Sequence, residues 1–128
     1  MAGLVVVDTD LIIDFLRGSG PGVELVRKLI AEGRLRVSSI TAFELRLGAD
    51  FLPRSGELLR ILKSRTIPLD LASALRAGEV FVDLRNWGQG IGMGDCLLAG
   101  TCLRHDLPLA TRNQSHFQRV PGLGLVTL

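Results

Sequence analysis

Apolar and polar positions fall into blocks along the chain, and the period of the pattern changes from block to block. Leu4-Val5-Val6-Val7 is an unbroken, mostly β-branched run, the mark of a strand buried on both faces. It stops at Asp8-Thr9-Asp10, and residues 11–17 read as a helix. Helical spacing returns over residues 21–32, with Val23, Val26, Leu29 and Ile30 in one stripe and Gly33 as a stop. Residues 35–38 form a short strand, and Ser39 or Thr41 opens a helix that runs through Phe51 to a stop at Pro53. Residues 55–65 read as a helix with Leu58, Leu59 and Leu62 inward, and residues 66–69 as a strand. Asp70 caps a long helix to about Trp87, the glycine-rich segment 88–92 follows, and residues 94–105 form another helix. Residues 107–111 read as a fourth strand and residues 124–127 as a last edge strand. Strands alternating with helices predict one α/β domain over residues 1–128, with a parallel sheet covered on both faces.

Composition narrows the class. Hydrophobic residues make up 47% of the 128 residues, enough for a sizeable core, and argue against disorder. No apolar run is long enough to span a membrane and no signal-peptide pattern opens the chain, so a cytoplasmic protein without a membrane role is expected. Cys96 and Cys102 fall six positions apart in one predicted helix, poor geometry for a disulfide, and read as reduced core thiols. The net charge of +2 is mildly basic and is not by itself a mark of nucleic-acid binding. Of the 15 basic residues only Lys28 and Lys63 are lysines. Arginine forks suit phosphate, although ordinary surface arginine explains the same count.

Three acids stand apart from the rest. Asp8 follows a buried strand, and in open α/β sheets ligands bind beyond the carboxyl ends of strands; the alternative is that Asp8 or Thr9 only caps the next helix. Glu44 lies on the stripe Ile40, Phe43, Leu47, Phe51, and Asp95 falls between Ile91 and Leu98. Acids are seldom buried unless paired or bound to metal. Asp14, Glu24, Glu32, Asp50, Glu57, Glu79 and Asp83 read as surface or capping acids. Converging carboxylates repel one another and raise their pKa values; a hard divalent cation removes that cost and suits carboxylates plus a substrate phosphate. The residues alone thus suggest a metal-dependent phosphoryl-transfer site.

The motifs carry a resemblance to the PIN-domain ribonucleases, and within them to the VapC toxins of type II toxin–antitoxin pairs. Asp8-Thr9-Asp10 after the first strand is similar to the family's opening D-T-[ND] segment. Residues 40–49 resemble its [IV]-T-x-x-E-L-x-x-G-A helix, residues 91–99 its I-x-x-x-D-x-L-[IL]-A segment, and residues 109–117 its L-x-T-x-[ND]-x-x-[DHE]-F segment. Four pieces in order span nearly the whole chain. The resemblance implies a PIN-like fold with a central parallel five-stranded sheet and helices on both faces. It implies an endoribonuclease dependent on Mg2+ or Mn2+, with Asp8, Glu44 and Asp95 as metal ligands and Asn113 assisting where many relatives carry Asp. Thr9 and Thr111 would support the acids. Arg112 and His116 are candidates for RNA-phosphate contact, with His116 standing where many relatives carry an acid. A homodimer, a structured RNA substrate (tRNA or rRNA) and a VapB-like antitoxin are the implied partners.

Two rival readings compete. A haloacid-dehalogenase-like phosphatase also places D-x-D after a strand, but needs a late lysine that this chain lacks. A non-catalytic RNA-binding or scaffold module on the same fold is favoured by Asn113 and opposed by Asp8, Glu44 and Asp95.

Overall fold

The strand that opens the chain is the hinge of the architecture. The computed structural model describes residues 3–128. The sheet is built from β1 (Val5–Val7), β2 (Leu35–Ser38), β3 (Thr66–Ile67) and β4 (Leu109–Ala110), in the order β3-β2-β1-β4. Every pairing is parallel, with Val5 opposite Leu35, Val6 opposite Leu109, and Val37 opposite Thr66. The central place of β1 explains its sequence: successive side chains point to opposite faces, and here both faces are covered.

Val5 and Val7 join a core with Leu11, Ile12, Leu16, Val26, Leu29, Leu58 and Ile61. These come from α1 (Thr9–Arg17), α2 (Gly22–Ala31) and α4 (Ser55–Leu62), on the side that also receives Leu45 of α3 (Ser39–Leu47). Val6 points the other way, into Val80, Leu84, Cys96, Leu98, Leu109 and Phe117. Those residues belong to α5 (Leu71–Asn86), α6 (Met93–Arg104), β4 and α7 (Gln114–Phe117). Cys96 and Cys102 are free, buried thiols, as expected of core residues.

The predicted elements are all found except one. The expected fifth strand at residues 124–127 reduces to a single parallel bridge between Leu109 and Leu125. Leu109 uses its N–H on Gly124 and its carbonyl on the N–H of Val126, and β4, only two residues long, offers no more edge to pair. The sheet is therefore four-stranded. The stripe proposed for α3 is also corrected. Phe43 is 64% and Leu47 71% exposed, and the inward face is instead Ile40, Thr41 and Leu45. In α4 the inward positions are Leu58, Ile61 and Leu62, while Leu59 faces out.

Two helix pairs approach backbone to backbone, and glycine permits it. A Cβ on Gly22 would lie 2.2 Å from the carbonyl oxygen of Leu11, where α2 crosses α1. A Cβ on Gly100 would lie 2.5 Å from the Ala77 nitrogen, where α6 crosses α5. Gly78, one residue further along α5, is exposed with nothing within 4 Å of a Cβ. The same substitution should therefore have opposite signs at neighbouring places. Gly100→Ala should destabilise by about 1–3 kcal/mol through overpacking, and Gly78→Ala should stabilise by about 0.5–1 kcal/mol through helix propensity. Urea unfolding of both variants checks this; a neutral Gly100→Ala would show that α5 and α6 separate freely.

Candidate active site

The carboxyl ends of β1 and β4 lie side by side, and the side chains that follow them meet. Asp8 leaves β1 in extended conformation and caps α1, its Oδ1 accepting the Thr9 N–H at 2.7 Å. Its Oδ2 accepts the Thr111 hydroxyl at 2.7 Å, from the residue that follows β4. The capping and catalytic readings of Asp8 are thus compatible, since one oxygen caps and the other faces β4. Burial pushes the Asp8 carboxyl above its ordinary 3.8; the Thr111 hydroxyl and the Thr9 N–H pull it down, and the charges of Glu44 and Asp10 add to the rise. Cys102 sits buried within the field of the same carboxylate, and burial, with the Asp8 charge behind it, pushes its thiol up to about 12. It is a neutral packing group rather than a nucleophile.

Glu44 reaches this end of the sheet from α3. Its residue is exposed rather than part of an inward stripe, but Oε1 accepts the Thr9 hydroxyl at 2.6 Å. That hydroxyl also lies 3.1 Å from the hydroxyl of Thr41, itself fully buried above Ser38, whose Oγ caps α3 by accepting the Thr41 N–H at 3.1 Å. Ser38, Thr41 and Thr9 form a buried hydroxyl layer under the acids. Sequence reasoning assigned no site role to Ser38, and to Thr41 only that of a candidate opener of α3. The available signal was the placement of Ser38 at a strand end and Thr41 three residues later, the spacing of a side-chain cap.

Asp95 is half-buried in the first turn of α6, where the helix dipole favours an acid. Asn113 is tied to both sides. Its N–H donates to the Thr111 hydroxyl at 3.0 Å, and its side-chain amide lies 3.5 Å from the Asp95 carboxylate. His116 of α7 places Nδ1 3.2 Å from Asp95 Oδ2 and 2.7 Å from the Asn113 amide. The Asn113 amide nitrogen is the atom that faces both, so it donates to Asp95 Oδ2 and, with Nδ1 as acceptor, to the His116 ring. His116 thus lies against the acid site.

Arg112 turns away from the acids toward α1. Its guanidinium is 3.3 Å from Asp14 and 3.9 Å from Asp10. Asp14 is buried, not a surface acid; its other contact accepts the Gly22 N–H at 3.1 Å, in the first turn of α2. The capping half of the reading for Asp14 holds, on a different helix from its own.

Among the described residues, no three His, Cys, Asp or Glu side chains stand close enough to ligate one ion as they are oriented here. The donors gathered at this end of the sheet are nevertheless mainly oxygens, the carboxylates of Asp8, Glu44 and Asp95 and the hydroxyls of Thr9 and Thr111, with the Asn113 amide and the His116 ring at the Asp95 edge. A carboxylate-rich set with one carboxyl raised by burial suits a hard divalent cation better than a soft one. Hydrogen bonds link the members without a break, from Glu44 through Thr9 to Asp8, and from Asp8 through Thr111 and Asn113 to Asp95.

The chain is similar in sequence and fold to known proteins. The PIN domain family matches residues 5–123. Ribonuclease VapC10 of Mycobacterium tuberculosis strain H37Rv is 34% identical over 115 residues, which cover 89% of this chain and 86% of that protein. The tRNA(fMet)-specific endonuclease VapC of Shigella flexneri is 28% identical over 122 residues, covering 91% and 92%. Among solved structures, FitAcB from Neisseria gonorrhoeae superposes with a TM-score of 0.82 at 25% identity over 97% of each chain. DNA-bound VapBC from Salmonella typhimurium does so with a TM-score of 0.82 at 22% identity over 98% of each, a likeness of fold. By the span of the family match and the identity to VapC10, the chain belongs to the PIN-domain family, among its VapC ribonucleases.

Proposed function

We propose that the chain is a Mg2+- or Mn2+-dependent endoribonuclease toxin that cleaves structured RNA, either tRNA or rRNA, and is held inactive by a VapB-like antitoxin. The observation that carries this reading is the unbroken hydrogen-bonded path joining Glu44, Asp8 and Asp95 at the carboxyl ends of β1 and β4. Asp8, Glu44 and Asp95 would hold the cation, with Asn113 assisting. A divalent ion there supplies charge neutralisation and activated water for phosphodiester cleavage. Thr111 and Thr9 fix the two oxygens of Asp8, so that carboxylate meets its ligand without searching rotamers. Glu44, exposed on its helix, has the freedom to swing toward the ion. His116, against Asp95, and Arg112, turned toward α1, would contact RNA phosphate, Arg112 at the cost of its pairing with Asp14.

The partner reading has its own support. An apolar cavity of about 350 Å3 opens beside Glu44, between Phe43, Leu69, Met93 and Leu97. Of its lining residues Phe43 and Met93 are exposed, and Leu47 of α3 and Leu71 and Leu75 of α5 are exposed as well. Such a surface fits contact with a second copy and with the antitoxin. The Salmonella and Klebsiella structures with this fold are toxin–antitoxin complexes. No helix among the described residues is long and apolar enough to cross a membrane, and a cytoplasmic site of action matches an RNA substrate.

Asp8→Asn should abolish RNA cleavage while preserving the fold. Because the folded carboxyl is raised above 3.8, ionised Asp8 costs stability above its folded pKa and nothing below 3.8, where both states are protonated. The variant should therefore melt no lower than the parent at pH 7, with any gain vanishing near pH 3. Retained cleavage in purified Asp8→Asn would sink the mechanism.

Asn113→Asp would set a second carboxylate about as close to Asp95 as the amide is now, 3.5 Å. Charge then accumulates around any bound cation, and calorimetry should show tighter magnesium binding. Equal or weaker binding removes Asn113 from the metal shell and leaves it as a residue of the turn after β4.

Expression of the chain alone should arrest growth, and co-expression of the antitoxin encoded beside it should restore growth. Arrest that persists with Asp8→Asn would show that the toxicity is not nucleolytic.

A further inference from the structure

The glycine-rich segment after α5 takes no part in the acid site, yet it flanks it. The segment leads directly into α6, which carries Asp95, and it faces α7, which carries His116. Between segment and helix lies an open depression of about 500 Å3, lined by Gly88, Gln89, Ser115, Gln118 and Arg119. Its character is unlike that of the acid site. No acid lines it, and its side chains are two amides, a hydroxyl and a guanidinium. Gln89, Ser115 and Gln118 are exposed, with their polar groups open to a ligand. Arg119 is fixed by its bond to the Gly90 carbonyl at 3.2 Å, which ties α7 to the segment.

The residue next to the depression in the sequence is an exposed aromatic. Trp87, the only tryptophan of the chain, ends α5 immediately before Gly88 and is 56% exposed. Gly88 adopts φ 69°, a left-handed turn that lets the Gly88 N–H reach Arg85 and the Gln89 N–H reach Leu84. The turn closes the helix and leaves the indole outside the core. A large exposed aromatic has a cost in solubility that packing does not offset here. Beside amides and an arginine, it matches the chemistry that reads unstacked bases: stacking on a π face, and hydrogen bonds to base edges.

We infer that Trp87, Gln89, Gln118 and Arg119 form a subsite for one unpaired nucleobase of the RNA strand whose backbone crosses the acid site. The inference rests on the ribonuclease reading for the identity of the strand, and it assigns the choice of base to residues outside the acid cluster. Ser115 lines the depression and its neighbour His116 contacts Asp95, so α7 borders both the depression and the acid site.

The single tryptophan provides the assay. Its emission should be quenched saturably by at least one of AMP, GMP, CMP and UMP, and by a stem-loop oligoribonucleotide, but not by ribose 5-phosphate. Gln118→Ala and Arg119→Ala should each weaken that mononucleotide about ten-fold, and Trp87→Ala should raise KM for the stem-loop about ten-fold or more, the scale of one lost base–aromatic stack. Circular dichroism and melting of the variants identify any that fail to fold, and quenching of the unaltered chain does not depend on them. Active cleavage with no saturable quenching by any mononucleotide or the stem-loop would overturn the subsite and leave the ribonuclease reading standing. Equal quenching by ribose 5-phosphate would also overturn it, in favour of a phosphate site. Saturable, base-selective quenching in a chain that cleaves no RNA would support the subsite and count against the ribonuclease reading.

Discussion

The hydroxyl of Thr111 on the carboxylate of Asp8 is the contact on which the site depends. The two residues are 103 positions apart and meet only because β1 and β4 are parallel neighbours. The same hydroxyl accepts the Asn113 N–H, so a single oxygen sets the distance between the Asp8 carboxylate and the turn that leads to Asp95. A buried hydroxyl is well suited to this position. It is short, it has one proton to give and lone pairs to receive, and in a low-dielectric setting both bonds are stiff. Thr9 does the equivalent on the other side, its N–H on Asp8 and its hydroxyl on Glu44.

Stability and chemistry pull against each other at Asp8. Burial raises its pKa, and each neighbouring acid raises it further. The two bonds from Thr9 and Thr111 offset part of that cost, and the remainder is what a cation would relieve. A site of this kind is tense while empty and relaxes when loaded.

The order of elements and the place of Asp8 at a strand end were legible in the sequence because each rests on local pattern, whereas Glu44 was singled out by a stripe that the fold leaves exposed. A β-branched run that ends in an acid marks the end of a buried strand whatever surrounds it. The readings that failed needed knowledge of a partner element. Phe43 and Leu47 share a stripe with Glu44, but whether a stripe faces a core depends on what lies across from it, and α3 turns a different face inward. Asp14 looked like a surface acid because its sequence neighbours do not reveal that Gly22 and Arg112 close over it. The last strand dwindled to a bridge because β4, its only neighbour, is two residues long. The buried hydroxyl layer of Ser38 and Thr41 was missed, although Thr41 was a candidate helix opener, because buried hydroxyls leave no periodic trace.

The interval between Asp8 and Thr111 also carries a meaning for the timing of synthesis. A chain that has emerged only through α5 already holds Asp8 and Glu44, but neither Asp95 nor the hydroxyl that anchors Asp8. The acid cluster therefore assembles only with the closing turn of the fold: until β4 pairs with β1, Asp8 has no Thr111 hydroxyl to hold it and no path to Asp95.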